Sequence, residues 1–279
     1  MNIPKNLKGD QLARFLVAHK EEIIEQKMFG MKQADAVSFV GGMVSRDGNV
    51  TKDGTGTLIG DGSIKNTTII NTCFWYDSHG DVHIPKLWNK SLADNAKRPV
   101  NQIMLLQEHQ MKFQNVIADK NNVVPYTANM TWQQLGINFP GETEVLAFDN
   151  TITPNRNPYM YGQYKDGNVY NHSVGMRYVD IQLAINTGER DMKAYKETWD
   201  KYIDFIANKE DVEFEGYFWA VTQAKVIEGS AVLRGSNIIT PTINSSLKGM
   251  EPPVGTPNEP DNSTQAAKGS IFQLINKIK

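Results

Sequence analysis

From Ser173 onward the chain alternates more regularly than anywhere else: Val179, Ile181, Leu183 and Ile185 fall on one side, and Tyr178, Asp180 and Gln182 on the other. A two-residue period sustained over that length fits a strand with one buried face, so a sheet has to be built around residues 173–186. Ser173 opens this strand. Gly175, two residues on, removes a side chain from the same face and lets another backbone or a bound peptide approach the hydroxyl closely. Ser173 is therefore a candidate nucleophile, although the Gly-x-Ser-x-Gly elbow is absent because Asn171 stands where its first glycine would be.

Much of the rest also reads as sheet. Runs at Ala36–Val44, Thr55–Ile59 and Ser63–Tyr76 are separated by Asp-Gly turns and predict a meander. Further strands are expected at Val100–Gln107, Asn115–Ala118, Val123–Met130, Glu144–Asp149, Glu213–Gln223 and Lys225–Leu233. Helices are expected at about 10–29, 86–95 and 189–209, where apolar residues recur at helical spacing. Residues 149–171, rich in Asn, Pro, Tyr and Gly, read as one long loop. The predicted fold class is mostly β with flanking helices (α+β): a closed or partly open β-barrel with the 189–209 helix packed on it.

Two groups of side chains carry possible chemistry besides Ser173. His109 follows the apolar strand Val100–Gln107, which fixes the backbone while the ring reaches past the sheet edge, a suitable place for a general base. Asp77, His79, Asp81 and His83 are ligand types for zinc or non-haem iron and would align if extended, but Gly80 predicts a turn that breaks the alignment. The expectation is therefore no metal and no cofactor.

The 279 residues, with a formal charge of −2, offer no broad basic surface, which argues against nucleic acid and anionic membrane as partners. Cys73 is the single cysteine, so no internal disulfide forms, and a cytosolic, soluble protein is expected. Met1–Gly9 shows no signal-peptide pattern, and no apolar run is long enough to span a bilayer.

Several separated segments together resemble the prohead, or capsid-maturation, serine proteases of tailed bacteriophages, a family related to the herpesvirus assemblins. The resemblance runs from about Val37 to Thr242. It rests on Asp77-Ser78-His79-Gly80-Asp81 followed by Trp88-Asn89-Lys90-Ser91-Leu92, on the strand Met104–Glu108 ending in His109, on Ser173-Val174-Gly175, and on Glu228-Gly229-Ser230-Ala231-Val232 with Gly235-Ser236-Asn237. It implies a herpesvirus-protease-like barrel at 36–245, with an N-terminal helical appendage at 1–35. Outside the resemblance, composition and spacing predict that residues 246–279 form a flexible linker, polar and Pro-rich from Glu251 to Gly269, and a short C-terminal helix carrying Ile271, Leu274, Ile275 and Ile278 that acts as a tether. The resemblance further implies Ser173 as nucleophile and His109 as base; a carboxylate that stabilises the imidazolium is expected as the third member, Glu228, with Asp180, on the opposite face of the strand from Ser173, as the alternative third member. The implied substrates are scaffold and major capsid proteins, and the chain itself, inside the assembling prohead in the host cytoplasm, with the enzyme as a homo-oligomer or prohead-associated. The alternatives are an inactive scaffolding component of the prohead, or a metal-dependent hydrolase built on Asp77, His79, Asp81 and His83.

Overall fold

The computed structural model describes residues 3–4, 6–29, 43–44, 50–51 and 56–243. Contacts divide the chain into Met1–Lys248 and Gly249–Lys279. The expected linker and C-terminal helix lie outside the described residues, as does most of the predicted strand at 36–44.

In chain order the elements are α1 (Gly9–Ala18), α2 (Lys20–Phe29), β1 (Met43–Val44), β2 (Val50–Thr51), β3 (Thr57–Leu58), β4 (Ile64–Thr72), β5 (Asp81–His83), α3 (Asn89–Ala96), β6 (Leu105–Gln107), β7 (Val116–Ala118), β8 (Val123–Thr131), β9 (Glu142–Ile152), α4 (Pro158–Lys165), β10 (His172–Ile185), α5 (Lys193–Tyr202), α6 (Lys209–Glu215), β11 (Tyr217–Ala231) and β12 (Thr242–Ile243). They form two sheets. The first runs β2-β1-β12-β4-β9-β8 with β3 on β4, and the second runs β10-β11-β6-β7 with β5 on β11.

The chain is thus a mixed α+β structure rather than a mostly β one, and among the described residues neither sheet closes into a barrel. The reason lies at one end of the β10–β11 ribbon. There Ala184, Phe218 and Ala220 bury their apolar surface against Trp199 and Tyr202 of α5 and Val212 of α6. Helices supply the cover that strand pairing gives in a closed barrel. The sheets meet where a Cβ at Gly229 of β11 would lie 2.5 Å from Phe148 Cε2 of β9 and 2.8 Å from Ile70 Cδ1 of β4, so only glycine allows this approach.

Several elements differ from the sequence reading. The predicted 10–29 helix is two helices that break at His19. They are not an appendage, because Leu12, Ala13, Leu16 and Ile23 are buried in one cluster with Ile181, Leu183 and Trp219. The expected 149–171 loop contains α4, which begins with Pro158 in its first turn and Asn157 as a cap accepting from Met160 N at 3.1 Å. Where a strand was expected at Glu213, α6 continues to Glu215 and stops at Gly216, which takes the left-handed conformation helix ends favour. The two predicted strands that follow are one, the 15-residue β11.

The alternation in β10 also changes phase. The register slips at Val179, which is 48% exposed, so Val174, Met176 and Tyr178 face the core before the slip and Ile181, Leu183 and Ile185 after it. Ser173 and Gly175 therefore lie on the face of the second sheet that points away from this core.

Candidate functional site

Antiparallel pairing of β10 with β11 sets Ser173 directly across from Ser230, and Gly175 across from Glu228. Opposed residues share a face, and so do residues two apart on a strand, so these four positions form one square on the outer face of the second sheet. Ile227, next to Glu228, is the extra residue where the register shifts between Gly175 and Met176. Bulges of this kind re-aim the neighbouring side chain. Here Glu228 lies over the bare backbone of Gly175. A Cβ there would fall on Glu228 Oε1 and stand 2.7 Å from Cδ.

His109 comes in from β6, which pairs parallel to β11 with Leu106 opposite Ser230. Just past the strand, Glu108 and His109 take φ values of +51° and +56°, a left-handed pair that is costly for residues with a Cβ. The turn is held from three sides. Glu108 N donates to Ala231 O at 3.0 Å, Gln110 N to Gln107 O at 3.0 Å, and His109 N to Ser230 Oγ at 3.0 Å.

The turn aims the ring at the square. His109 Nδ1 lies 2.6 Å from Glu228 Oε1, and Ser230 Oγ donates to Glu228 Oε2 at 2.6 Å. With the carboxylate as acceptor, the imidazole carries its proton on Nδ1 and presents a basic lone pair on Nε2. The ring is 19% exposed while Glu228 is buried, so the pair sits at the bottom of an accessible site. Among the described residues neither His109 Nε2 nor Ser173 Oγ has a hydrogen-bond partner. The loop at Gly235 closes over the nucleophile candidate: a Cβ on Gly235 would lie 3.7 Å from Ser173 Cβ and 2.8 Å from His172 O.

The structure thus brings His109, Glu228 and Ser173 onto one face. Asp180, the alternative third member, is not part of it. It lies seven residues along β10 from Ser173, about 23 Å at strand rise, exposed, and is bound by the Thr222 hydroxyl and by Gln182 Nε2 at 3.3 Å.

Two groups were not singled out from sequence. Ser230, two residues after Glu228, bridges the carboxylate to the His109 backbone; its signal was the Glu-x-Ser spacing on a strand. His172, next to Ser173, is fully buried: its Nδ1–H donates to Thr240 O at 3.0 Å, and its Nε2 accepts from Tyr164 OH at 2.9 Å. Burial lowers its pKa from the usual 6.5 to about 4, against a smaller upward pull from the Thr240 carbonyl. Its backbone is clamped as well, since Thr240 Oγ1 donates to His172 O at 2.8 Å and accepts from His172 N at 3.1 Å.

Asp77, Asp81 and His83 do converge, with candidate ligand atoms within 4.8 Å of one another and all three residues buried. His79 is not in that group; its backbone N donates to Asp77 Oδ1 and its carbonyl accepts from Lys27 Nζ. A cation already occupies the cluster: Lys27 Nζ of α2 lies 2.6 Å from Asp81 Oδ1, and Tyr178 OH donates to Asp81 Oδ2. Asn71 Nδ2 donates to His83 Nδ1 at 2.6 Å, which ties up one of the two imidazole nitrogens. This chemistry suits an ion pair that fastens α2 to the sheet more than it suits a metal.

Among the described residues no helix is long and apolar enough to cross a membrane. No protein-family model matches the chain, and no curated protein or solved structure matches it either.

Proposed function

We propose that the chain is a serine endopeptidase of the prohead-maturation type, with a fold related to the herpesvirus proteases in a partly open form. The observation that carries the reading is the His109–Glu228 pair, held by a strained turn above the strand pairing that presents Ser173. Ser173 Oγ attacks a peptide carbonyl while His109 Nε2 takes the hydroxyl proton, and Glu228 stabilises the resulting imidazolium. The tetrahedral adduct collapses to an acyl-enzyme as the same proton passes to the leaving amine. Water then repeats the sequence and releases the second product. Since Ser173 and His109 carry no mutual hydrogen bond at rest, the bond forms as substrate settles, as catalytic contacts often do. The substrates are scaffold and major capsid proteins, cleaved inside the assembling prohead.

A small fluorophosphonate tests the nucleophile. Covalent labelling at Ser173, lost in Ser173→Ala and strongly slowed in His109→Ala while both variants unfold at wild-type temperatures, supports the reading. The missing Ser173–His109 bond favours a second one, an inactive shell component; absence of labelling in the wild-type chain would select it.

A further inference from the structure

On the outer face that carries Glu228, a cavity of about 240 Å³ opens towards β6 and β7. Met104, Leu106, Met111, Phe113, Val116 and Ile227 wall it, and Glu228 itself forms its inner side. Phe113 is 94% exposed and Met111 67% exposed, although both follow His109 by only a few residues. Large apolar side chains left in water beside a candidate active site are what a bound chain would cover. The volume is below the roughly 300–1,000 Å³ typical of small-molecule sites and suits a single side chain.

The charge around it narrows the occupant. A second cavity of about 390 Å³ shares Gln102, Met111 and Ile227 with the first, and the two make one trough. Lys90, Arg98, Lys112, Arg156 and Lys225 line it, against the carboxylates Asp94 and Glu228. Both carboxylates are engaged, Asp94 by Lys90 at 3.1 Å and Glu228 by His109 and Ser230. Lys90 is engaged by Asp94, and Arg156 lies 3.7 Å from Asp119, which leaves Arg98, Lys112 and Lys225 to make the rim cationic above an apolar floor. The trough disfavours basic segments, the chain's own residues 268–279 among them, which carry Lys268, Lys277 and Lys279 and no acid.

Resting on the endopeptidase reading, we propose that this cavity is a specificity subsite that takes one leucine- or methionine-sized side chain of a substrate segment in trans, with neutral or acidic residues around it. The anchor side chain fills the cavity beside Glu228 while the main chain crosses the outer face to Ser173. Lys112 meets acidic flanks at the rim.

Binding tests the subsite without asking for turnover. Fluorescent acidic peptides that differ at one position, Leu or Ser, are titrated against the full Ser173→Ala chain, and fluorophosphonate labelling of the Ser173 chain is run in parallel. The Leu peptide is expected to bind at least tenfold more tightly. The double variant Met111→Ser/Phe113→Ser, altered at two exposed positions of the cavity wall, should erase that difference while unfolding at the wild-type temperature. Equal binding of the two peptides overturns the subsite, as does a preference that survives the double variant. A tenfold gain in peptide affinity on deleting residues 244–279 overturns the choice of occupant in favour of the chain's own tail. Lost labelling with preserved peptide preference sinks the protease reading and not the subsite.

Discussion

Gly175→Ala adds one methyl group and touches neither Ser173 nor His109, yet it should disable the site. The new Cβ would overlap Glu228 Oε1 and stand 2.7 Å from Cδ and 3.0 Å from Cγ. To regain ordinary carbon–carbon separation of about 3.5–4.0 Å, Cδ must retreat by roughly 0.8–1.3 Å. The His109–Glu228 bond of 2.6 Å then stretches beyond hydrogen-bond range. Misplacement of a catalytic group by about 1 Å costs on the order of 100-fold, and loss of the orienting carboxylate in serine-protease triads about 10⁴-fold. The expected fall in kcat/KM is therefore about 10²–10⁴, or roughly 3–5 kcal/mol of transition-state stabilisation. Folding should suffer little, because Gly175 lies outside the left-handed region and the obstacle is the end of a flexible side chain. The assay pairs peptide hydrolysis with thermal unfolding and with proton NMR of the His109 Nδ1–H, whose low-field signal should move upfield. A variant that keeps kcat/KM within threefold of wild type while its Nδ1–H signal is gone would refute the role given to Glu228.

Three other perturbations read different parts of the structure. Ser230→Ala removes the hydroxyl that joins Glu228 Oε2 to the His109 N–H and should lower kcat about tenfold with little change in KM; an unchanged kcat in steady-state peptide hydrolysis would refute this. Lys27→Met strands the buried Asp81 carboxylate and should cost about 3–5 kcal/mol, roughly 6–15 °C in melting temperature, with partial recovery in Lys27→Met/Asp81→Asn. His172 is neutral in the fold, so its stabilisation is complete above pH 6.5 and is lost as pH falls towards 4, where the unfolded chain binds a proton the native chain refuses. That gap amounts to about 3 kcal/mol, and denaturant titrations from pH 7 to 4 should show a slope that His172→Asn flattens.

The candidate site was legible wherever its signal was local. A strand end fixed His109, the period of two fixed β10, and Glu-x-Ser put two polar groups on one face of β11. Register slips were not legible, because the extra residues at Val179 and Ile227 are imposed by pairing with a distant strand. The same limit hid the sheet arrangement. Short strands separated by turns are compatible with a barrel, and only the packing of Trp199 and Tyr202 on Ala184 and Phe218 decides that helices cover the ribbon. Two misreadings had visible signals. Asn157-Pro158 announces the start of α4, and Gly216 marks the stop of α6 and the true start of β11. The lone apolar stripe at 10–29 could not say whether it covered its own core, since the answer depends on partners at Asp81, Glu189 and β10.

Those partners give the N-terminal helices a history as well as a place. Lys27 and Ile23 leave the ribosome well before the strand they pack against, which ends at Ile185. About 150 residues must follow before α2 has a surface to join, which at roughly 5–20 residues per second leaves Ile23 uncovered for about 8–30 s. Docking of α2 onto β10 is then a late step, and substitutions at Leu16 or Ile23 should speed unfolding far more than they slow folding.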